Sequence, residues 1–197
     1  MDTRQDEPRS KEAPWAIGQV YTPSEDTFFL ADYVEETINC SSALEVGVGS
    51  GYVTRVLASR SEYAVGTDVS VEAVYSAKDY LRNVGVENVD LVVANQADPF
   101  REASFQIVVS NPPYLPCEYE EEPLWCGGPR GVEFTLSLAR TARSLLRGGG
   151  KLVLIASSLS DVNTLVLQLK NLYSNVYVVQ EKGVSLFEKL FILECEV

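Results

Sequence analysis

Residues 43–51, "ALEVGVGSG", decide the fold. The first half reads as a short buried strand, and the second sets glycines at 47, 49 and 51. Glycine accepts the positive φ of a sharp turn and lets a ligand approach the backbone. The next segment, "YVTRVLASR" (52–60), has helical spacing. "YAVGTD" (63–68) then reads as a strand, and "SVEAVYSAKDYLRNVG" (70–85) as a helix closed by Gly85. Outward from this unit, 89–94, 105–110 and "KLVLIAS" (151–157) read as strands. The triplet "GGG" (148–150) is read as the turn into the last of them. Helices are predicted within "TPSEDTFFLADYVEETI" (22–38), with Ser24 as N-cap, within 131–147, and at about 160–172. "VYVVQEK" and "LFEKLFILECEV" close the chain as a hairpin, and 111–130 is left as an irregular stretch. Strands alternating with helices predict an α/β domain: a mainly parallel sheet covered on both faces, with an antiparallel edge.

Composition narrows the function classes. The 197 residues suffice for one domain with a sizeable core, and 46% of them are hydrophobic. "MDTRQDEPRSKEAP" (1–14) reads as a flexible charged tail, leaving 15–197 as the domain. No apolar run approaches the roughly 18 residues of a membrane helix, so a cytoplasmic or nuclear location and no membrane partner are expected. The net charge of −12 argues against direct DNA binding, which wants a basic face. The four cysteines lack C-x-x-C spacing, so no metal site is indicated and all four are expected reduced. Histidine is absent, so any catalysis proceeds without imidazole.

Two stretches carry chemistry. In open parallel sheets, ligands bind beyond the carboxyl ends of the strands. Glu45, Gly47, Gly49 and Asp68 fall there, and a carboxylate at Asp68 suits the paired hydroxyls of a ribose. An adenosine-containing cofactor follows. A dinucleotide fingerprint would want a glycine at 52, where the chain has Tyr52. Glu45 would repel a pyrophosphate and suits a cationic ligand.

The second stretch is "SNPPYLP" (110–116), an amide, two prolines and an aromatic at a strand's end. The Asn111 side-chain oxygen and the Pro112 carbonyl can together accept both N–H bonds of a planar –NH₂ group. Pro113 keeps the corner rigid, and Tyr114 offers a flat face for stacking. Such a site orients a poorly nucleophilic nitrogen toward an electrophilic methyl and needs no strong base.

"VYTPSEDTFFLADYVEE", "ALEVGVGSG", "SNPPYLP" and "WCGGPRG", in this order, resemble the HemK-like release-factor glutamine methyltransferases, in particular their eukaryotic and archaeal branch. The likeness covers about residues 17–197. It implies a Rossmann-like, seven-stranded sheet, S-adenosylmethionine as cofactor, and N5-methylation of the glutamine in the Gly-Gly-Gln motif of a class 1 termination factor. It places Thr27, Glu45 and Gly47 at the methionine part of the cofactor, Asp68 at the ribose and Asp98 at the adenine. It matches Trp125, Gly127, Gly128 and Gly131 to a segment shaping the substrate entrance. It further implies a small zinc-binding activator as heterodimer partner, and strand 89–94, if it lies at a sheet edge, is the apolar surface such a partner would cover. Two other readings stay open: an amino-methyltransferase acting on adenine in nucleic acid, and a non-catalytic adaptor that keeps the fold. The acidic run 118–123 is expected to face solvent.

Overall fold

Alternating side chains along the central strands build two cores on opposite faces of one sheet. The computed structural model describes residues 20–96, 98–118 and 124–197. They run α1 (Glu25–Thr37), β1 (Cys40–Val46), α2 (Tyr52–Ser59), β2 (Ser61–Asp68), α3 (Val71–Asn83), β3 (Val89–Val93), β4 (Phe105–Ser110), β5 (Leu115–Pro116), β6 (Cys126–Gly128), α4 (Glu133–Leu145), β7 (Leu146–Ser157), α5 (Val162–Lys170), β8 (Asn175–Gly183) and β9 (Lys189–Glu196). The seven-stranded sheet has the order β3-β2-β1-β4-β7-β9-β8. The first five are mutually parallel, β9 runs antiparallel to β7, and β8 runs antiparallel to β9. The tail 1–14 and most of the acidic run lie outside the described residues.

Leu44, Val46, Val108, Leu152 and Leu154 point to one face, under Leu138 of α4 and Leu165 and Leu169 of α5. Ala43, Ile107, Val109, Val153 and Ile155 point to the other, under Leu30 and Val34 of α1 and Val53 and Leu57 of α2. The register pairs Leu44 with Val108 and Val108 with Leu152, so side chains of one face stack across three strands. Period-2 patterning on a sheet buried on both faces gives the near-continuous apolar runs seen in the sequence. Among the described residues, no helix is long and apolar enough to cross a membrane.

Three local expectations are corrected. The glycine triplet is not a turn before the strand but lies inside β7: Phe105 pairs with Leu146, yet Ile107 pairs with Lys151, so Arg147–Gly150 bulge out of the ladder. Residues 111–130 are not wholly irregular, since β5 and β6 pair in a small parallel sheet. That pairing overturns the reduced state of all four cysteines: Cys117 and Cys126 form a disulfide, with Cα atoms 5.5 Å apart, while Cys40 and Cys195 are free. The donors Leu115 N–H to Trp125 O (3.0 Å) and Cys117 N–H to Gly128 O (3.1 Å) bring the two segments side by side. Spacing rules for metal motifs do not register such a bridge, because β pairing and not sequence proximity sets the distance.

Thiol titration tests the disulfide. Protein denatured without reductant should show the two thiols of Cys40 and Cys195; after reduction it should show all four. Four thiols in unreduced protein purified under air would overturn the pairing.

Candidate active site

β1, β2 and β4 end side by side, and the chain segments leaving them line a cavity of about 410 Å³. That volume lies within the range of small-molecule sites. Ser110 Oγ donates to the Val46 carbonyl at 2.7 Å, tying the end of β4 to the end of β1. The glycine turn and the Asn-Pro-Pro-Tyr corner therefore share one wall system.

On the cofactor side, Gly47 has φ +83°, and a Cβ there would meet nothing within 4 Å, so its backbone borders open space. Gly51, with φ +82°, is set by packing: a Cβ would lie 3.0 Å from that of Ala77 on α3. The Asp68 carboxylate accepts the Gly49 N–H at 3.0 Å and the Ser70 N–H at 2.9 Å. Asp68 is thus not the cap of α3; Ser70 is, accepting the Ala73 N–H at 3.2 Å. A carboxylate has about four lone-pair positions, so Asp68 keeps acceptor capacity for a ligand.

Glu45 points to the same face as the core residue Ala43 and is 2% exposed. Its Oε2 accepts a hydrogen bond from the Thr54 hydroxyl on α2. Burial pushes its pKa up to about 8, with the nearby Asp68 adding to the rise and Thr54 opposing it. A buried carboxyl of this kind, at the wall of a cavity, favours a cation beside it. Thr27, at the buried start of α1, lines the same cavity.

The structure brings Thr27, Glu45, Gly47, Gly49, Asp68, Asn111, Pro112, Pro113, Tyr114 and Trp125 around one cavity. Asp98 is exposed, accepts from Asn95 Nδ2 at 3.4 Å, and is not among the lining residues. Asn95 and Gln96 line the wall there instead. Gln96 holds φ +50°, rare for a residue with a side chain, and the Thr67 hydroxyl pins its carbonyl at 2.7 Å.

On the side of the Asn-Pro-Pro-Tyr corner the centre is Asp26, 4% exposed, in the first turn of α1, where an acidic residue carries no sequence signal beyond suiting a helix N-terminus. Its carboxylate gathers the Tyr21 hydroxyl (2.8 and 2.9 Å), the Thr27 N–H (2.7 Å), Asn111 Nδ2 (3.0 Å) and the Tyr114 hydroxyl (3.1 Å). Burial, and then the Asp26 charge, push both phenols well above the ordinary tyrosine value, so both stay protonated donors. The Asn111 Oδ1 atom is buried without a protein partner. Glu188 also lines the cavity and accepts from Ser157 Oγ at 2.7 Å. Only tertiary contact reveals Glu188, which lies beyond β8 in the chain.

Glycines press the corner into place. A Cβ on Gly127 would lie 2.7 Å from the Gly131 carbonyl oxygen and 2.8 Å from that of Pro113. The "WCGGPRG" segment is therefore the backing of the Asn-Pro-Pro-Tyr corner, while Trp125, 46% exposed, stands at the mouth with its ring 5.6 Å from Tyr21.

The methyltransferase small domain family matches residues 25–186. A mouse protein, methyltransferase HEMK2, is 33% identical over 156 residues, covering 71% of this chain and 72% of that protein. A release factor glutamine methyltransferase of Geobacter sulfurreducens is 30% identical over 151 residues; the match spans 68% of this chain but only 52% of that relative's length. Among solved structures, the E. cuniculi Mtq2–Trm112 complex, responsible for methylation of the eRF1 translation termination factor, aligns with TM-score 0.73 and 25% identity over 89% of this chain and 97% of that one. A match over most of the described domain, with a relative one-third identical, decides membership: this chain belongs to the methyltransferase small domain family.

Proposed function

We propose that this methyltransferase transfers a methyl group from S-adenosylmethionine to the side-chain nitrogen of the glutamine in the Gly-Gly-Gln motif of a class 1 translation termination factor. The observation that carries the reading is Asn111: a buried amide oxygen without a protein partner, lining the same cavity as the buried carboxyl of Glu45. An –NH₂ group is the partner that an orphaned carbonyl oxygen wants. The names of relatives from Schizosaccharomyces pombe and Geobacter point to the same acceptor.

The cofactor fits the donor set. Glu45 beside a cavity suits a ligand carrying a sulfonium and an ammonium, Asp68 retains free acceptor sites for ribose hydroxyls, and the Gly47 backbone leaves room for close approach. When bound, the cofactor supplies an electrophilic methyl. Asn111 Oδ1 and the Pro112 carbonyl hold the two N–H bonds of the acceptor amide and stabilise the positive charge that develops on its nitrogen. The Tyr114 ring, fixed by its hydroxyl on Asp26, supports the amide plane. Orientation can supply roughly 7–11 kcal/mol in favourable cases. The nitrogen becomes acidic only as it is methylated, and water takes its proton, so the lack of histidine is no obstacle.

We further infer that a small zinc-binding activator protein covers strand β3. Among the described residues this strand pairs only with β2, and none of its five residues is fully buried. Val92 packs toward the core, whereas Val93 is 47% exposed. An uncovered apolar edge is a template for association.

Three outcomes are expected. Glu45 carries a proton below about pH 8, and a cationic ligand favours the ionised form. Affinity for S-adenosylmethionine, measured by calorimetry, should therefore rise with pH up to about 8 and then level off. Glu45→Gln should flatten the profile, while Asp68→Ala should weaken binding about tenfold or more at every pH. A wild-type profile that is flat from pH 6 to pH 9 would remove Glu45 from the cation site. In the free protein the sign is opposite for stability: folded Glu45 keeps a proton that the unfolded chain loses above 4.5, so stability falls as pH rises from there through about 8.

For the chemistry, Asn111→Ala should slow transfer to the folded termination factor by about 10²–10³-fold. Cofactor affinity should change far less. Tyr114→Phe should be milder than Tyr114→Ala. Product mass spectrometry should find one methyl on the glutamine after two glycines; a methyl on adenine in DNA, or full activity in Asn111→Ala, overturns the proposal.

For the partner, co-expression with the activator should raise soluble yield, and Val93→Lys should abolish co-purification while leaving the thermal transition of the free chain near that of wild type. Retention of the complex in Val93→Lys would move the interface away from β3.

A further inference from the structure

Asn111 can face the acceptor in two ways, and the chemistry tolerates only one. With Oδ1 toward the cavity it accepts an N–H of the substrate amide. Turned over, it would present its own –NH₂ to that –NH₂, two donors against each other. The two orientations fill the same volume, so packing alone does not choose between them. The Asp26 carboxylate does. It offers acceptors only, and Asn111 Nδ2 sits 3.0 Å from Oδ2; the reverse orientation would set a carbonyl oxygen against a carboxylate oxygen.

We propose that Asp26 is a positioning residue that locks the Asn111 amide with Oδ1 toward the acceptor, and that the buried orphan oxygen is the product of this lock. The proposal rests on the reading of Asn111 as the acceptor-binding residue. Asp26 is itself held in place from three directions. Its own helix supplies the Thr27 N–H, the segment before α1 supplies Tyr21, and the catalytic corner supplies Tyr114. Both phenols donate to the same carboxylate that takes the Asn111 Nδ2 donor, so Asp26 is the shared acceptor of the cluster. One carboxylate thus sets both the sense of the Asn111 amide and the position of the Tyr114 ring. Because it holds the donor end of the Asn111 amide and not the orphan oxygen, it acts on the acceptor through Asn111. A family motif centred on Asn-Pro-Pro-Tyr contains no hint of this partner, which sits 85 residues earlier in the chain.

A reciprocal exchange tests the assignment. Asp26→Asn keeps the shape but gives position 26 a donor that can turn the Asn111 amide over. It should lower kcat for the folded termination factor by about 10–100-fold, while the cofactor Kd stays within about threefold. Asn111→Asp sets two carboxylates together and should be worse. In the double variant Asp26→Asn/Asn111→Asp, the amide at 26 can donate to the carboxylate at 111, whose second oxygen again faces the acceptor. The double variant should therefore exceed Asn111→Asp in kcat by about tenfold, a coupling that independent structural damage at two sites would not produce. Losses that simply multiply would overturn the proposal. An acceptor-independent readout separates this test from that of the substrate. In protein with isotope-labelled asparagine, the Asn111 side-chain amide signal, assigned by its loss in Asn111→Asp, should show slow exchange in wild type and fast exchange in Asp26→Asn. Unchanged exchange there overturns the positioning role whatever the acceptor; a wild-type enzyme that leaves the glutamine unlabelled overturns the substrate reading instead.

Discussion

The parallel pairing of β1 with β4, carried to the last residue of each by the Ser110 hydroxyl on the Val46 carbonyl, is the constraint on which the site depends. Each strand ends in a segment useless without the other. On the proposed reading, the glycine turn after β1 holds the methyl donor and the Asn-Pro-Pro-Tyr corner after β4 holds the amide that receives the methyl. A one-residue slip between the strands would send every buried side chain of β4 to the opposite face. Burial on both faces of the sheet therefore fixes the register, and the register fixes the separation of the two half-sites. The same core packing that stabilises the fold sets the reaction geometry.

The cavity is unusual in its charge. Glu45, Asp68, Asp26 and Glu188 all line it, with no lysine or arginine among the lining residues described. Asp26 and Glu45 are buried and Asp68 is partly so; carboxylates taken from water are costly unless satisfied, and these three are handled differently. Asp26 is surrounded by donors and so is built into the framework. Asp68 accepts two backbone N–H groups. Glu45 has a single hydroxyl donor, and its raised pKa records the shortfall. A residue left underserved by the protein is the one whose environment a cationic ligand improves most. The division separates the carboxylates built into the pocket's framework from the one proposed to meet a cation in it.

Much of this could be read from the chain. Glycines at 47 and 51, the acid ending β2 and the prolines after β4 are local signals, because backbone chemistry at a strand's end limits which residues fit. The antiparallel hairpin followed from the order of elements, whereas the edge position of β3 was expected only on the strand order of the resembled family. What escaped was long-range. The Asp26 cluster joins residues 21, 26, 111 and 114, and Glu188 arrives from the hairpin. An aspartate in a helix's first turn looks the same in sequence whether it faces solvent or a catalytic amide. Beyond β3 the signal runs the other way: the acid at 98 is exposed and absent from the cavity lining, where Asn95 and Gln96, which carry no charge pattern, stand. The Cys117–Cys126 pair was illegible because two-residue and three-residue strands have no periodicity to detect.

That disulfide and the small sheet around it bear on how rigid the acceptor site is. The Asn-Pro-Pro-Tyr corner is held in front by Asp26, behind by Gly127, and just beyond its end by Leu115 and Cys117 bonding to the Trp125–Gly128 segment. Two prolines remove much of the remaining backbone freedom. A corner restrained on three sides loses little entropy when an amide docks, and preorganisation of this kind lowers the cost of reaching the reactive geometry. Discrimination among acceptors then follows from shape. A fixed pair of oxygens accepts a planar –NH₂ whose two N–H bonds diverge at the right angle, and a group with only one N–H leaves one oxygen buried and unpaired. The mono-methylated product is such a group. If the proposed transfer holds, the rigidity that orients the first methylation also disfavours rebinding of the product for a second.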